Sequence, residues 1–287
     1  MKKILNNNND FEFIENKLSN SDFIRKVSDD IGYEYKLLKS YITTSLEEAL
    51  HTLKLINKYD LKNKKILEFG SGLGISSMLL SLKGYNITSF EPGGIGFEKN
   101  KRLNQYLIKY FRLNIDSLEN LADLRGNTFD FIFSNNVLEH IYDIEKTILH
   151  LDFSLKNNGI MYHNLPNYIV PYEPHFGILF FPIFPKKMSF LISKKITKTG
   201  LWKSINFINV FDIMSYSSKA NSKVTFKKRL MYEAIRRIDK DHEFAERHSN
   251  LRKLISFFRK IGFLYLIKLL PVSLNTPMVF EWKKNDK

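Results

Sequence analysis

Residues 65–74 read KILEFGSGLG, the pattern of a buried strand that runs into a turn with glycine at three alternate positions. Glycine lets the backbone adopt positive φ and pass close to a ligand. The run 75–82 that follows predicts a helix, whose first N–H groups point at that ligand. The next apolar run, 87–90, ends in Glu91, where a doubly wound sheet holds ribose hydroxyls with an acidic residue. The pattern predicts a nucleoside-binding α/β domain.

The spacing of the glycines separates two kinds of nucleoside site. A dinucleotide fold requires G-x-G-x-x-G, whose last glycine allows close packing of helix on strand. Counted from Gly70, that position is Ile75, and counted from Gly72 it is Ser77. Glu68 lies two residues before the first glycine, and its charge suits a cationic amino-acid ligand better than a pyrophosphate. An NAD-dependent Rossmann enzyme is therefore disfavoured.

Two later segments extend the pattern. Residues 129–141 read FDFIFSNNVLEHI, and residues 155–162 read LKNNGIMY. With the glycine turn and Glu91, they stand in the order found in class I S-adenosylmethionine-dependent methyltransferases, and the chain resembles that family over residues 64–166. The first segment is similar to the FDxIxSxxVLEHI signature of a subgroup with many O-methylating members. The second resembles the family's LKPGG turn into strand five, with asparagines in place of Pro-Gly.

The resemblance implies S-adenosyl-L-methionine as cofactor and S-adenosyl-L-homocysteine as its product. It also implies an α/β fold, a Rossmann-like doubly wound seven-stranded sheet with an antiparallel last strand, and helical insertions after strands five and six. We expect strands at 64–69, 86–91, 111–115, 129–134, 159–165, 222–226 and 277–282. The expected segments are an N-terminal helical part (1–59), the cofactor-binding core (60–166) and substrate-side insertions with the last two strands (167–287).

The same resemblance implies which residues bind the cofactor. The expected set is Glu68, Gly70, Ser71, Gly72, Gly74, Glu91, Asp116, Ser117 and Asn135. The glycine turn would line the methionine half, with Glu68 supporting it, and Glu91 would accept from the ribose. Asp116 and Ser117, just past the expected third strand, would contact adenine or else cap a helix. Asn135 would face the methionine side or else form a turn.

Three residues are candidates for acid–base catalysis. His140 titrates near neutral pH, although it can equally fix its loop against the sheet. The segment 166–177, PNYIVPYEPHFG, leaves strand five and is held rigid by its prolines. Within it, Glu173 or His175 can be the general base, the alternative being a rigid aromatic cap with a satisfied histidine. His163 lies within strand five and is expected to be a core or sheet-end histidine.

No metal site is predicted. Certain ubiquinone-pathway O-methyltransferases are similar to this region and bind a divalent metal through E-x-x-E-H. Here the first position of that motif is Asn136.

Composition limits the remaining classes. A chain of 287 residues with 44% hydrophobic residues can build a full core, and the absence of cysteine excludes disulfides and thiol metal sites. The N-terminus lacks the apolar region of a signal peptide, and the most hydrophobic stretch, 176–192, is interrupted by prolines and lysines. These features predict a cytoplasmic protein.

The first interpretation of the net charge of +14 is a solvated surface rich in lysine. The second is affinity for an anionic glycan, lipid head group or membrane surface. A nucleic-acid partner is not expected, because the N/D-P-P-Y/F loop of base methyltransferases is absent after strand four. The charged run of Arg236, Arg237, Asp239, Asp241 and Arg247 is either a solvated face or a cover for an acidic sugar.

Two helices are predicted from local pattern outside the core. Ser45-Leu46-Glu47-Glu48 has the form of a capping box that opens a helix. The segment 251–270 predicts a helix that either packs on the core or lies on anionic membrane at its inner face. The apolar face of that second helix would consist of Leu251, Leu254, Ile255, Phe258 and Ile261.

The sequence therefore predicts a methyltransferase that methylates an oxygen of a small or glycan-like acceptor, because segments like 166–177 resemble those of bacterial methyltransferases associated with surface-polysaccharide biosynthesis. The alternatives are an N- or C-methyltransferase of a small metabolite, and a non-catalytic partner subunit with the same fold. Neither the acceptor nor the oligomeric state follows from the sequence.

Overall fold

A computed structural model of the chain describes residues 8–94, 97–180, 186–238, 255–256, 259–260 and 264–285. Its strands are β1 (Lys65–Phe69), β2 (Asn86–Phe90), β3 (Asp116–Leu118), β4 (Phe129–Asn135), β5 (Leu155–Leu165), β6 (Tyr172–Glu173), β7 (Ile178–Leu179), β8 (Ser222–Phe226) and β9 (Met278–Lys284). The α-helices are α1 (Asn8–Ser19), α2 (Ser21–Ile31), α3 (Tyr35–Ile56), α4 (Ile75–Leu82), α5 (Glu98–Tyr110), α6 (Ile144–Phe153), α7 (Lys194–Thr197), α8 (Gly200–Ser204), α9 (Val210–Lys219), α10 (Leu230–Ile238) and α11 (Leu264–Ile267). Short 3-10 helices occupy Leu121–Leu124, Leu138–His140, Lys187–Leu191 and Val272–Leu274.

Within the described residues, seven strands form one sheet in the order β3-β2-β1-β4-β5-β9-β8. β1 pairs in parallel with β2 and β4, β2 pairs in parallel with β3, and β9 runs antiparallel to β8. The predicted α/β fold with an antiparallel last strand is confirmed. Because the carboxyl ends of parallel strands share one edge, the turns after β1 and β2 lie side by side.

The predicted third strand, at 111–115, is wrong. Helix α5 continues to Tyr110, and Arg112 then turns the chain with a φ of 51°. The N–H of Leu113 still bonds back to the carbonyl of Ile108, so extended pairing begins only at Asp116. The apolar residues of 111–115 suggested a strand, but their backbone is used to end the helix.

The capping box predicted at Ser45 is also wrong. Helix α3 begins ten residues earlier, where Glu34 accepts hydrogen bonds from the N–H groups of Lys36 and Leu37. Its buried face continues with helical spacing past position 45, so packing overrides the local start signal. That face consists of Leu38, Ile42, Leu46, Ala49, Leu53 and Ile56.

The described chain divides into two compact units, and this division differs from the predicted boundaries at 60 and 166. The first comprises the chain up to Asn135 together with Leu151–Tyr162. The helices before residue 60 belong to this unit, since Phe23 packs on Tyr110 with ring centroids 4.7 Å apart and Tyr106 donates to Asp30 at 2.7 Å. The N-terminal helices thus pack within the first unit.

The second unit comprises Asn136–His150 and the chain from His163 onward. The part that follows β5 builds an apolar core of its own from Tyr168, Phe180, Trp202 and Ile205, with Phe176 and Phe207 packed against it. Here β6 and β7 pair as a short hairpin. As predicted, His163 is a core histidine: it is fully buried beside the ring of Phe280.

Two predictions fall mainly on residues outside the described ranges. In the charged run these are Asp239, Asp241 and Arg247, and in the helix predicted at 251–270 they are Leu251, Leu254, Phe258 and Ile261. Among the residues that the structure describes, none of the helices combines the length and the apolarity that a bilayer crossing requires.

Candidate functional site

The turn after β1 is held against β2 by its backbone. The N–H groups of Gly70 and Ser71 both donate to the carbonyl of Phe90, at 2.8 and 3.0 Å. Gly74 then donates to the carbonyl of Ser71 at 2.7 Å and opens α4. All three glycines of the turn have positive φ, between 55° and 76°, which residues with a Cβ rarely adopt. The glycine pattern of the sequence is therefore required by the backbone itself.

Glu68, the penultimate residue of β1, caps helix α4 from the sheet. Its buried carboxylate accepts from the backbone N–H of Ser77 at 2.9 Å and from the Ser77 hydroxyl at 2.5 Å. Burial raises the pKa of Glu68 to about 7, against the opposing effect of the hydrogen bonds from Ser77 and Ser76. The carboxyl group of Glu68 thus bonds to the first turn of helix α4, and its predicted support of the glycine turn stays a prediction.

Glu91, immediately after β2, turns its carboxylate back onto the same turn. One oxygen accepts from the N–H of Gly72 at 2.7 Å and the other from the N–H of Gly93 at 2.9 Å. Burial raises the pKa of Glu91, while these two N–H groups oppose the shift. A carboxylate offers about four lone-pair sites, so these bonds leave capacity for ribose hydroxyls.

Two polar side chains behind the turn were not predicted. Asn104 of α5 donates to the hydroxyls of Ser71 and Ser89 at 3.0 and 3.2 Å, and these hydroxyls bond to each other at 2.7 Å. Tyr41 of α3 lies beside Gly72 with its hydroxyl bonded to a second asparagine of α5. A sequence signal existed for Asn104: it is a polar residue on the apolar face of a helix, next to Leu103 and one turn before Leu107.

The structure brings together most of the predicted cofactor residues but not all of them. Glu68, Glu91 and the turn residues form one cluster. Asn135 is the last residue of β4, as predicted. Asp116 and Ser117 lie within β3, paired with Thr88 and Ser89, rather than past its end. The positional basis for assigning them to adenine was therefore wrong, because the strand begins later than predicted.

The three predicted catalytic residues form a second cluster, within the second unit. His140 ends the 3-10 helix Leu138–His140, and His175 lies between β6 and β7. Their ring centroids are 5.0 Å apart. Glu173, fully buried in β6, accepts a hydrogen bond of 2.5 Å from Nδ1 of His175. Residues separated by more than thirty positions in the sequence thus meet, and the buried carboxylate of Glu139 joins them.

Hydrogen bonds from neighbouring side chains hold His140 and Glu173 of this cluster in place. Nδ1 of His140 lies 2.8 Å from the hydroxyl of Ser204, which itself donates to the carbonyl of Leu201 at 2.7 Å. Tyr168 donates to Glu173 at 3.3 Å, and burial, with the charges of Glu139 and Glu173, raises the pKa of Tyr168. Burial, together with the neighbouring His175, lowers the pKa of His140 to about 3, so its imidazole is neutral at physiological pH.

A family model described as a methyltransferase domain matches residues 39–218, more than half of the chain. The chain belongs to this family of methyltransferase domains, and its methyl donor is S-adenosylmethionine. The residues of the first unit fit that donor. At Gly74, which is buried, a Cβ would overlap the Asn104 amide, and the Glu91 carboxylate retains acceptor capacity beyond its bonds to Gly72 and Gly93.

Individual relatives cover part of the chain. An uncharacterized protein of Mycobacterium tuberculosis is 32% identical over 196 residues, which are 64% of this chain and 66% of that protein. A ubiquinone biosynthesis O-methyltransferase of Rickettsia prowazekii is 30% identical over 130 residues, 44% of this chain and 49% of its own length. The chain thus spans about two thirds of the first relative and about half of the second.

Among solved structures, Haemonchus contortus phosphoethanolamine N-methyltransferase 2 in complex with S-adenosyl-L-methionine has a TM-score of 0.48. It is 14% identical to this chain, and the match covers 84% of this chain and 53% of that one.

Proposed function

We propose that this protein is an O-methyltransferase of the FDxIxSxxVLEHI subgroup that acts on a sugar, a glycan or another small hydroxylated acceptor, in the biosynthesis of a surface polysaccharide. The turn after β1, with Glu68 and Glu91, binds the methyl donor. His175 and Glu173 act on the acceptor. What supports an oxygen acceptor is the pair formed by His175 and Glu173.

The chemistry of the acceptor explains why this pair matters. S-Adenosylmethionine supplies a methyl group already activated by its sulfonium. A hydroxyl acceptor must lose its proton as it attacks, so a positioned base accelerates the reaction by about 10²–10⁴-fold. We assign that role to Nε2 of His175, which takes the proton as the C–O bond forms and the S–CH₃ bond breaks.

Glu173 prepares His175 for this role. Because its carboxylate accepts from Nδ1 at 2.5 Å, the neutral imidazole carries its lone pair on Nε2. The same carboxylate stabilises the imidazolium that forms when Nε2 takes a proton. His140, whose pKa is lowered to about 3, is a poor proton acceptor and would serve as a neutral neighbour.

The class of acceptor is supported by two further observations. The rickettsial relative is named as an O-methyltransferase. The net charge of +14 favours an anionic acceptor, such as an acidic sugar or a nucleotide sugar, over a cationic amine. Nucleic acid is not proposed as a partner.

The test is transfer of a labelled methyl group from S-adenosylmethionine to a panel of sugars, nucleotide sugars, phenols and amines. We expect O-methylated products, and a fall of about 10²–10⁴-fold in kcat/KM for His175→Ala with S-adenosylhomocysteine binding retained in calorimetry. His51→Ala, a histidine of α3, is the matched control, and Gly72→Arg is the variant blocked in donor binding. Exclusive N-methylation, or full activity of His175→Ala, would show the proposal to be wrong.

A further inference from the structure

Three potential ligand atoms converge in the second unit. One carboxylate oxygen of Glu139 and one ring nitrogen each of His140 and His175 all lie within 4.8 Å of one another. Each Nε2 is 3.9 Å from the same oxygen, Oε1 of Glu139. Glu139 and His140 come from the 3-10 helix after β4, and His175 comes from the β6–β7 hairpin. The sequence motif for a metal lacked its first glutamate at position 136, and in the structure a histidine of the hairpin supplies the third group.

The hydrogen bonds behind the two rings set their tautomers. Nδ1 of His175 donates to the carboxylate of Glu173. The Ser204 hydroxyl donates to the carbonyl of Leu201 at 2.7 Å and, in the Nδ1–H tautomer of His140, accepts from that ring at 2.8 Å. In the Nδ1–H tautomer each unprotonated ring carries its lone pair on Nε2, the nitrogen that lies 3.9 Å from Oε1 of Glu139. Metal-ligating histidines are held in this way, with the other nitrogen donating to a carboxylate or another acceptor.

The N···O distances are longer than direct hydrogen bonds. Each of the two pairs measures 3.9 Å, against about 2.7–3.2 Å for a hydrogen bond. Around a tetrahedral ion with bonds of about 2.0–2.1 Å, ligand atoms lie roughly 3.4 Å apart. To reach this separation the two N···O pairs, at 3.9 Å, would each contract by about 0.5 Å, and the two ring nitrogens, which lie within 4.8 Å of each other, by up to about 1.4 Å.

We propose that Glu139, His140 and His175 bind a divalent first-row transition-metal ion such as Zn²⁺, and that Glu173 and Ser204 position the two histidines. Two imidazoles and one carboxylate suit such an ion, whereas Mg²⁺ and Ca²⁺ favour oxygen ligands. The buried carboxylates of Glu139 and Glu173 supply negative charge that the cation offsets.

Three protein ligands leave a coordination position open. Resting on the proposed function, we assign that position to the acceptor hydroxyl, whose pKa the ion lowers. A bound ion would supply Lewis-acid polarisation of that hydroxyl, and because Nε2 of His175 would then be a ligand, the hydroxyl proton would pass to solvent water instead. Metal binding itself does not depend on the identity of the acceptor.

The experiment uses the full chain, stripped with a chelator and titrated separately with Zn²⁺, Co²⁺, Mn²⁺ and Mg²⁺ by calorimetry, with Co²⁺ also followed by visible absorption. We expect one equivalent of Zn²⁺ or Co²⁺ per chain and much weaker binding of Mg²⁺. His175→Ala and Glu139→Gln should weaken Zn²⁺ binding by at least ~100-fold, and Glu173→Gln by about 10–100-fold. His51→Ala is the matched histidine control and should bind as the wild type does.

Retention of S-adenosylhomocysteine binding shows that each variant is folded, and it separates this proposal from the proposed function. Stoichiometric metal binding without O-methyl transfer would leave the site standing and remove the proposed function. The metal site would be overturned if folded wild-type protein bound no equivalent of Zn²⁺ or Co²⁺. It would also be overturned if both His175→Ala and Glu139→Gln bound Zn²⁺ as tightly as the wild type does.

Discussion

Glu68→Gln should change the pH dependence of stability in a way that identifies one buried carboxyl group. The folded protein holds the pKa of Glu68 at about 7, above its ordinary value of 4.5, because the side chain is buried. The native state therefore binds this proton more tightly than the unfolded chain does. The stabilising contribution of Glu68 is fully present below pH 4.5 and is lost as the pH rises through 7. Glutamine has nearly the same shape and does not titrate.

The magnitude follows from the two pKa values. With 1.36 kcal/mol for each unit of pKa difference, the ionisation of Glu68 costs about 1 kcal/mol at pH 5 and about 3 kcal/mol at pH 8. Relative to wild type, Glu68→Gln should gain about 2–3 kcal/mol of unfolding free energy between these pH values. The altered hydrogen bonds to Ser77 lower the unfolding free energy of Glu68→Gln by about a further 1–3 kcal/mol. This loss is the same at every pH, so it does not affect the difference between pH 5 and pH 8.

Urea denaturation of both proteins at pH 5, 6, 7 and 8 measures this difference directly. Titrating groups that do not interact with Glu68 contribute equally to both proteins and cancel; Glu91, whose charge also raises the pKa of Glu68, is the exception. Glu12→Gln, at an exposed position of α1, is the matched control for the loss of one carboxylate. A difference between wild type and Glu68→Gln that stays constant over this range would refute the raised pKa.

Two further predictions test the turn and the core. Gly74 and Gly84 both have a φ of 76°, but a Cβ at Gly74 would overlap the Asn104 amide whereas one at Gly84 meets open space. Gly74→Ala should therefore lose about 1–3 kcal/mol more unfolding free energy than Gly84→Ala in urea denaturation. It should also weaken S-adenosylhomocysteine binding in calorimetry. Equal losses of unfolding free energy in the two variants would contradict the overlap with Asn104. Burial lowers the pKa of His163 to about 3, so its contribution is complete above pH 6.5 and falls as the pH drops towards 3. Between pH 6.5 and 4.5 wild type should lose about 2 kcal/mol of unfolding free energy relative to His163→Leu. If the unfolding free energies of the two proteins changed in parallel over this pH range, the lowered pKa of His163 would be excluded.

The parts of the fold that the sequence predicted are those in which one local pattern has one structural solution. The run from Lys65 into the glycine turn can bury its apolar residues only as a strand, and the turn demands positive φ. The same holds for the strands at 86–90 and 129–135, where continuous apolar runs end in polar residues. Hence the fold, the clustering of Glu68 with Glu91, and the end of β4 were all accessible before the structure.

Where the local sequence is compatible with two structures, long-range packing determines which one forms. The sequence alone did not show which structure that would be. The start of α3 at Tyr35 depends on a face that continues past the cap signal at Ser45. The meeting of His140 with His175 depends on the path of the chain after β5, which no periodicity specifies. Each residue was predicted as a separate candidate, but their distance is a property of tertiary structure.

The amide of Asn104 links three stretches of sequence that are far apart in the chain: the turn after β1, strand β2 and helix α5. Natural variation at positions 71, 89 and 104 should therefore be correlated, because losing the amide leaves two enclosed hydroxyls with one partner fewer. For protein engineering, a new turn cannot be grafted onto this scaffold alone. The side chain at position 104 has to be exchanged with it, although it lies thirty residues downstream of Gly74.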